Sequence, residues 1–438
     1  MLIGDTFMER KMFERLKNWK RSKNRSPLLL QGARQVGKTY TALEFGRREF
    51  ANTVYLNFEG TQYLKDIFEP DLEPHRIIRA IEAHTGQTIL PEKTLIIFDE
   101  IQAAEPALTS LKYFCESAPE YCIIAAGSLL GVAINRNQYS FPVGKVDMIT
   151  MYPLDFEEFL HAIGAKKIAD MIKNHAADNT PMPLHQQALD YYRQYLVVGG
   201  MPRAISEYVE SKDFNNVAAA QYMLNDSYIA DMAKYATPQE TARTLAVWRC
   251  IPAQLAKENQ KFQYKLIKSG ARAHQYELAL DWLTSAGMIN KCTLAKEGSL
   301  PLCAYADNSS FKAYMVDTGL LCSKFHIPAN VILASPHSFD GFKGALAENY
   351  VMQALIANGL EPYYWTSDGK AELDFLFQDA DGNIVPVEVK SADNVRSKSL
   401  HFFRQKYDIP FAYRISARNF GYEDGIKSVP LYAVFTIK

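Results

Sequence analysis

CxxC cysteine pairs, a membrane-length apolar run and a large net charge of either sign are all missing from this 438-residue chain. Its six cysteines, at positions 115, 122, 250, 292, 303 and 322, form no CxxC pair. That excludes a zinc framework or a disulfide scaffold and points to a reducing compartment. The longest apolar stretch, Ile123 to Ile134, is 12 residues long and is broken by Gly and Ser, short of the roughly 18 needed to span a bilayer. The N-terminal segment carries no apolar core ahead of its charges, so neither a secretory leader nor a membrane partner is expected, and the expected location is cytoplasmic. Lys and Arg total 48 against 49 Asp and Glu, a net charge of −1. A chain so balanced lacks the basic coat of a general nucleic-acid binder, and any such contact must be a local patch. Low-complexity tracts and internal repeats are also absent. What remains is ordinary globular composition, 48% hydrophobic and 22% charged, in a chain long enough for roughly two to four domains.

The basic stretch at residues 8–24 carries Arg10, Lys11, Arg15, Lys17, Lys20, Arg21 and Lys23 around Met12, Phe13, Leu16 and Trp19. The apolar spacing is helical, which favours a solvated helix face over an anion-binding arm. From Pro27 onward short apolar runs alternate with helical patterns. Leu28–Leu30, Thr53–Phe58, Leu95–Phe98 and Cys122–Ala126 read as strands, nearly all continuously apolar, as in a parallel sheet covered on both faces. Residues 154–240 are helical in pattern, interrupted at Val198-Gly199-Gly200-Met201-Pro202. Short helices follow, including Gln275–Trp282, then an extended run after Gly287, the order of a winged-helix module. The chain ends in α/β pattern again: a helix over Gly344–Asn358, and strands near 361–365, 372–378 and 384–390 with an Asp381-Gly382-Asn383 turn between the last two.

One motif carries phosphate chemistry. Gly32-Ala33-Arg34-Gln35-Val36-Gly37-Lys38-Thr39 fits G-x-x-x-x-G-K-[ST], follows an apolar strand and opens a helix. The glycines let successive N–H groups converge on one point, to which the helix N-terminus adds its positive end. Lys38 supplies a charge to the β- and γ-phosphates, and Thr39 offers a hydroxyl to Mg²⁺. Asp99 and Glu100 end the strand that begins at Leu95, at the sheet edge where ligands bind in open α/β folds. Asp99 is the expected metal-site acid and Glu100 the residue that polarises the attacking water. Ser128, just beyond the strand ending at Ala126, is the candidate polar sensor, a helix cap being the competing role.

A second acidic constellation lies near the C-terminus. Asp374 sits on one expected strand, and Glu388 and Lys390 share a face of the next through their i, i+2 spacing. Glu348 lies on the preceding helix. Glu348, Asp374 and Glu388 are the candidate ligands of a second Mg²⁺. Lys390 is the candidate to position and deprotonate a water for attack on a phosphodiester. Acid, then acid-x-Lys across a hairpin, resembles the restriction-endonuclease-like PD-(D/E)xK arrangement, although Leu373 stands where a Pro is customary. Arg396, Lys398, Arg404 and Lys406 are candidate phosphate contacts. Acids outnumber bases over residues 340–406, however, a weak electrostatic footprint for DNA.

GARQVGKT, LIIFDE, IIAAGSLL, YPLDFEEF and VVGGMPRA, with GALAENYV, ELDFLF and VPVEVKS further on, resemble the bacterial and archaeal AAA-family ATPases that carry a DUF4143 C-terminal region. The likeness runs over nearly the whole chain. It implies an ASCE-type (AAA+) core with Asp99 as the metal-site acid and Glu100 as the catalytic base. Gly144-Lys145 stands where the family usually has Gly-Arg. A lysine lacks the planar fork of an arginine finger, so Arg136 and Arg203 enter as alternatives to Lys145.

The expected fold class is α/β. A P-loop parallel-sheet core over 1–153 is followed by a helical lid over 154–241 and a winged-helix-like segment over 242–335. A nuclease-like α/β domain over 336–438 closes the chain. The expected function is Mg²⁺-dependent ATP hydrolysis coupled to a domain that binds or cleaves nucleic acid, DNA being the candidate substrate. The alternative is a nucleotide-switched interaction protein with a silent C-terminal domain and a protein partner. A small-molecule kinase fits less well, given the acidic pair and the long remainder of the chain.

Overall fold

The computed structural model describes residues 8–60, 62–128, 141–235, 237–257, 260–334, 340–367, 371–390 and 397–438. Two compact units emerge, one essentially Glu9–Tyr152 with Ser285–Gly287, the other essentially Pro153–Thr284 with Met288–Lys438.

The first unit begins with α1 (Met12–Arg21), which buries Met12, Phe13, Leu16 and Trp19. The basic stretch is thus mostly the outer side of a packed helix, but Arg10 is itself buried. β1 (Leu28–Gln31) runs into α2 (Lys38–Glu49) through the Gly-rich turn, and Gly37, at φ 98°, is the residue before the helix. β2 (Asn52–Asn57), α3 (Gln62–Asp66) and α4 (Pro74–Thr85) follow. α4 starts where Glu73 caps the N–H groups of His75 and Arg76 ahead of Pro74, and stops at the left-handed Gly86. β3 (Thr94–Asp99), α5 (Glu105–Ser117), β4 (Cys122–Ala126) and β5 (Asp147–Thr150) complete the unit. The sheet order is β2-β3-β4-β1-β5, with every pairing parallel. β4 therefore lies between the strand that enters the Gly-rich turn and the strand that ends in Asp99. β3 and β4 are buried along their whole length, which is why they read as unbroken apolar runs.

The second unit opens with helices α6 (Phe156–Ala162), α7 (Lys166–Asp178), α8 (His185–Val198), α9 (Pro202–Ser211), α10 (Phe214–Tyr235) and α11 (Pro238–Leu255). Reciprocal capping boxes start two of them, Asp155 with Glu158 at α6 and Thr237 with Glu240 at α11. The breaker between α8 and α9 is pinned by a buried carboxylate. The Gly200 N–H donates to Asp317 at 2.6 Å, and the N–H of Leu320 donates to it at 2.9 Å. At Gly199, with φ 73°, a side chain would run into that carboxylate.

α12 (Glu277–Ser285) is followed by the antiparallel hairpin of β6 (Ile289–Ala295) and β7 (Ala306–Met315). This is the helix-then-hairpin order expected of a winged-helix-like segment, but the hairpin does not stand alone. β6 also pairs in parallel with β8 (Tyr363–Ser367), so it extends the C-terminal sheet. α13 (Thr318–Lys324), α14 (Ala329–Ala334) and α15 (Asp340–Ala357) come between them. β9 (Ala371–Gln378), β10 (Ile384–Val389), α16 (Lys398–Tyr407), β11 (Ala412–Ser416), β12 (Gly421–Glu423) and β13 (Ile426–Pro430) complete a mixed eight-stranded sheet of order β12-β13-β11-β10-β9-β8-β6-β7. Trp365, Leu373, Leu376, Leu400 and Phe403 anchor the core between this sheet and α16. Trp248, Trp282 and Trp365 are all buried, as core residues and not stacking platforms. Among the described residues no helix is long and apolar enough to cross a membrane.

Candidate functional site

In the first unit, Gly32, Ala33, Arg34, Gln35, Val36 and Gly37 form the turn between β1 and α2. Its backbone departs from ordinary geometry where the motif demands it. Gly32 has φ 142°, and a side chain there would collide with the carbonyl of Met151. Gln35 sits at φ 64°, a left-handed conformation uncommon for a residue with a side chain. Arg10 braces the turn from outside, donating to the carbonyls of Val36 at 3.0 Å and Tyr152 at 2.7 Å. The ammonium of Lys38 curls over its own loop, donating to the carbonyls of Gly32 at 2.9 Å and Ala33 at 2.8 Å. Burial lowers its pKa to about 8, Glu100 and Asp99 pull the other way, and Arg34 adds to the lowering.

Asp99 faces this turn from the end of β3. Thr39 donates its hydroxyl to Asp99 Oδ2 at 2.9 Å. Tyr55, from β2, donates its phenol to the same oxygen at 2.8 Å, and Asn57 donates to the Tyr55 oxygen at 3.3 Å. The other carboxylate oxygen accepts the Glu100 N–H at 3.1 Å. The parallel register places Asn57 directly beside Asp99. Glu100 is held in a left-handed conformation, φ 50°, at the strand's end, with Gln102 donating to its carboxylate. Burial raises the Glu100 pKa; the Gln102 hydrogen bond opposes the rise and Asp99 adds to it. Ser128 is buried just beyond β4, where the Gly127 N–H reaches the Leu30 carbonyl at the end of β1.

Thr39, Lys38, Asp99 and Glu100 therefore converge from two separate stretches of sequence. The Thr39 hydroxyl and the Asp99 carboxylate are hard oxygen donors side by side, the set that Mg²⁺ takes while keeping several waters. Lys145 is paired with Glu116 at 3.0 Å, on the surface of the first unit. Arg203 lies on α9 of the second unit, and Arg136 lies outside the described residues.

The second unit brings the C-terminal acids together. The register of β9 with β10 pairs Phe375 with Val387, which sets Asp374 and Glu388 one step further along neighbouring strands. Asp374 accepts the Val389 N–H at 2.7 Å. Glu388 Oε1 meets the Lys390 ammonium at 2.9 Å, while its Oε2 is buried with no partner among the described residues. Glu348, on α15, accepts from Gln260 at 3.0 Å and from the Tyr314 hydroxyl at 3.1 Å. Burial pushes its carboxyl up to about 7, and Asp374 adds to the rise. Among the described residues, no group of three or more His, Cys, Asp or Glu side chains is gathered so as to hold a metal ion.

Three residues of these sites escaped the sequence reading: Tyr55, Arg10 and Lys312. Lys312 is 2% exposed on β7. It meets Glu372 at 2.7 Å and lies in the field of Glu348 and Asp374. The signal available for Lys312 was a lysine inside the apolar run Phe311–Met315. Of the expected phosphate contacts, Arg404 is occupied internally, by the carbonyls of Ile409, Pro410 and Asp424. Arg396 lies outside the described residues.

Family comparison bears on this geometry. Residues 24–160 match the AAA domain, residues 343–434 the domain of unknown function DUF4143, and residues 189–330 the domain of unknown function DUF8612. No curated protein matches the chain. Among solved structures, the Walker-type ATPase PABY2304 of Pyrococcus abyssi is 15% identical and aligns over 74% of this chain and 97% of its own, with a TM-score of 0.46. The Aeropyrum pernix ORC2 protein is 13% identical over 81% of this chain and 98% of its own, with a TM-score of 0.40. The RuvB Holliday junction branch migration motor of Thermotoga maritima is 15% identical over 66% of this chain and 91% of its own, with a TM-score of 0.30. A Gly-rich turn between β1 and α2, an acid at the end of β3 and a parallel sheet that sets β4 between them make the first unit a P-loop ATPase fold, and the chain carries an AAA domain over residues 24–160 and a DUF4143 domain over residues 343–434.

Proposed function

We propose that this protein hydrolyses ATP with Mg²⁺ at the first unit and that its C-terminal acids form a Mg²⁺-dependent site for nucleic acid. The observation that carries the first part is the Thr39–Asp99 hydrogen bond of 2.9 Å, beside a lysine held over a Gly-rich loop. The loop N–H groups and Lys38 bind the β- and γ-phosphates of ATP. Thr39 and Asp99 would hold Mg²⁺, which would supply positive charge to the phosphate oxygens. Glu100 accepts the proton of the attacking water. Its raised pKa brings it nearer the range where a carboxylate is an effective base at neutral pH. Ser128 lies by the end of β1 and contacts the γ-phosphate. Lys145, Arg136 and Arg203 are the candidates for a finger.

Support for the second part comes from Glu388 Oε2, a buried carboxylate oxygen with no partner among the described residues, next to Asp374 on the adjoining strand. Asp374 and Glu388 would hold Mg²⁺ there, with Glu348 behind them, and the metal would supply a more acidic bound water, while the Lys390 ammonium would orient that water for phosphodiester attack and offset charge on the phosphate. A second reading makes the nucleotide a switch, the C-terminal site silent and the partner a protein. The ion pairs and hydrogen bonds that already engage Asp374, Glu388 and Glu348 favour it. Finer boundaries than the two compact units, at 153, 241 and 335, belong to the same proposal.

Supercoiled and single-stranded DNA, incubated with Mg²⁺ or Mn²⁺ in each nucleotide state, separate the two readings. Nicking by wild type that disappears in Asp374→Ala supports cleavage. No nicking in any state leaves the switch reading.

A further inference from the structure

Arg414, on β11, stands in one row with two of the C-terminal acids. The antiparallel register of β9 with β10 brings Asp374 opposite Glu388, and the parallel register of β10 with β11 pairs Glu388 with Arg414. The register of β11 with β13 then pairs Arg414 with Ser428. Paired residues on neighbouring strands share a face of the sheet, about 5 Å apart. Two acids and an arginine thus lie side by side on three adjacent strands.

An acid and a guanidinium so placed are expected to join. They do not. Glu388 Oε1 meets Lys390 on its own strand at 2.9 Å, and Arg414 Nη2 donates to Ser428 Oγ on the far side at 2.7 Å. Arg414 is only 9% exposed, and its Nε is buried with no partner among the described residues. Glu388 Oε2 is in the same condition. A guanidinium carries five N–H donors and keeps its charge at any ordinary pH, so it is seldom covered without an anion. One neutral hydroxyl does not meet that need.

We propose that Arg414 is the phosphate-binding residue of the C-terminal site, and that its guanidinium head takes the anion which the protein itself does not supply. Arginine suits this task because its planar fork matches two phosphate oxygens at once. The ligand class is a phosphate, either the diester of a nucleic-acid backbone or the monoester at a strand end. The assignment deepens, and rests on, the reading of these acids as a nucleic-acid site. No spacing motif announces it, because Arg414 joins the row through strand pairing and lies outside the acid-x-Lys segment.

The test uses the full-length chain with Ca²⁺ present and with saturating ADP to fill the loop of the first unit. Fluorescence anisotropy over a range of salt reads the binding of a short labelled single-stranded DNA, with and without a 5′-phosphate. Melting temperature reads the binding of inorganic phosphate. Arg414→Gln should bind the DNA roughly tenfold more weakly, with a salt slope shallower by about 0.7, the value of one single-strand phosphate contact. Arg414→Lys should keep the slope and lose part of the affinity, since it keeps the charge and lacks the fork. Without ligand, Arg414→Gln should melt no lower than wild type, because a covered charge has been removed. A loss confined to the 5′-phosphorylated strand assigns the monoester, and a loss with both strands assigns the diester. Wild-type affinity and slope in Arg414→Gln would overturn the proposal. So would weaker binding accompanied by a lower melting temperature in both variants, which would make Arg414 a strut of the sheet. If wild type binds no DNA but is stabilised by inorganic phosphate, and Arg414→Gln is not, the anion site stands and the nucleic-acid reading falls. DNA binding that ignores Arg414 does the reverse, and a wild type that binds neither probe overturns both.

Discussion

The Tyr55 phenol and Asp99 lie 2.8 Å apart, and the carboxylate oxygen that accepts from Tyr55 is the one that accepts from Thr39. Two hydroxyls, one from the first turn of α2 and one from β2, thus fix the rotamer of one acid. Burial and the neighbouring Asp99 both hold Tyr55 in its protonated, donating form. Tyr55→Phe removes one of the two donors. With a hydrogen bond to a charged group worth about 1.5–3 kcal/mol, the Mg²⁺ concentration for half-maximal hydrolysis should rise roughly tenfold. ATP binding without metal should be unchanged. A Mg²⁺ titration of phosphate release checks this, and an unaltered midpoint would show that Thr39 alone positions Asp99.

Lys38 predicts a pH dependence. Its pKa, lowered to about 8 by burial, means that folding loosens its hold on the proton while leaving it an ammonium at neutral pH. The sign follows. Below about 8 the buried charge costs stability, and that cost is relieved as pH rises between 8 and the ordinary 10.5. Nucleotide binding moves the opposite way, since the phosphates need the ammonium. From pH 7 to pH 9, Kd for a fluorescent ATP analogue should weaken by roughly tenfold. Lys38→Arg, charged throughout, should lack this step whatever its absolute affinity.

Gly32 is the position where backbone space decides function. At φ 142°, with the Met151 carbonyl against it, Gly32→Ala would have to push the end of β1 from the segment that follows β5. The strain is about 1–3 kcal/mol or more, and both the melting temperature of the first unit and nucleotide affinity should fall. Calorimetry with and without ATP reports both quantities.

Asp317 carries a comparable prediction for the second unit. It is fully buried and accepts N–H groups from Gly200 and Leu320. Asp317→Ala leaves those donors unpaired and should cost about 2–4 kcal/mol, read as a lower midpoint in urea unfolding. Asp317→Asn keeps the size and one acceptor oxygen, and should recover part of the loss.

Much of this was legible in the residues. The buried parallel strands announced themselves as unbroken apolar runs, and the phosphate loop by a motif whose every position has a backbone or charge reason. Asp374, Glu388 and Lys390 were visible through strand periodicity. β5 was missed because Asp147–Thr150 is only half-buried at a sheet edge and alternates weakly. Tyr55 was hidden for a different reason: inside a strand, a tyrosine looks like ordinary β-forming sequence until the folded sheet lets its phenol reach along to Asp99 on the neighbouring strand. Lys312 and Arg10 reach their partners across long sequence separations, and an isolated basic residue carries no sign of burial. Charge alone placed Arg10 in solvent, whereas its hydrogen bonds to Val36 and Tyr152 place it in the scaffold of the loop.

The most direct test of the account is phosphate release from ATP with Mg²⁺ and no added acceptor, measured in parallel for wild type, Glu100→Gln and Lys38→Ala, alongside nucleotide binding. Wild type should release phosphate. Glu100→Gln should bind ATP with near-normal affinity and lose turnover by roughly 10²–10⁴-fold, the span of a lost general base. Lys38→Ala should fail to bind. Hydrolysis at the wild-type rate by Glu100→Gln, or unchanged binding by Lys38→Ala, would contradict it.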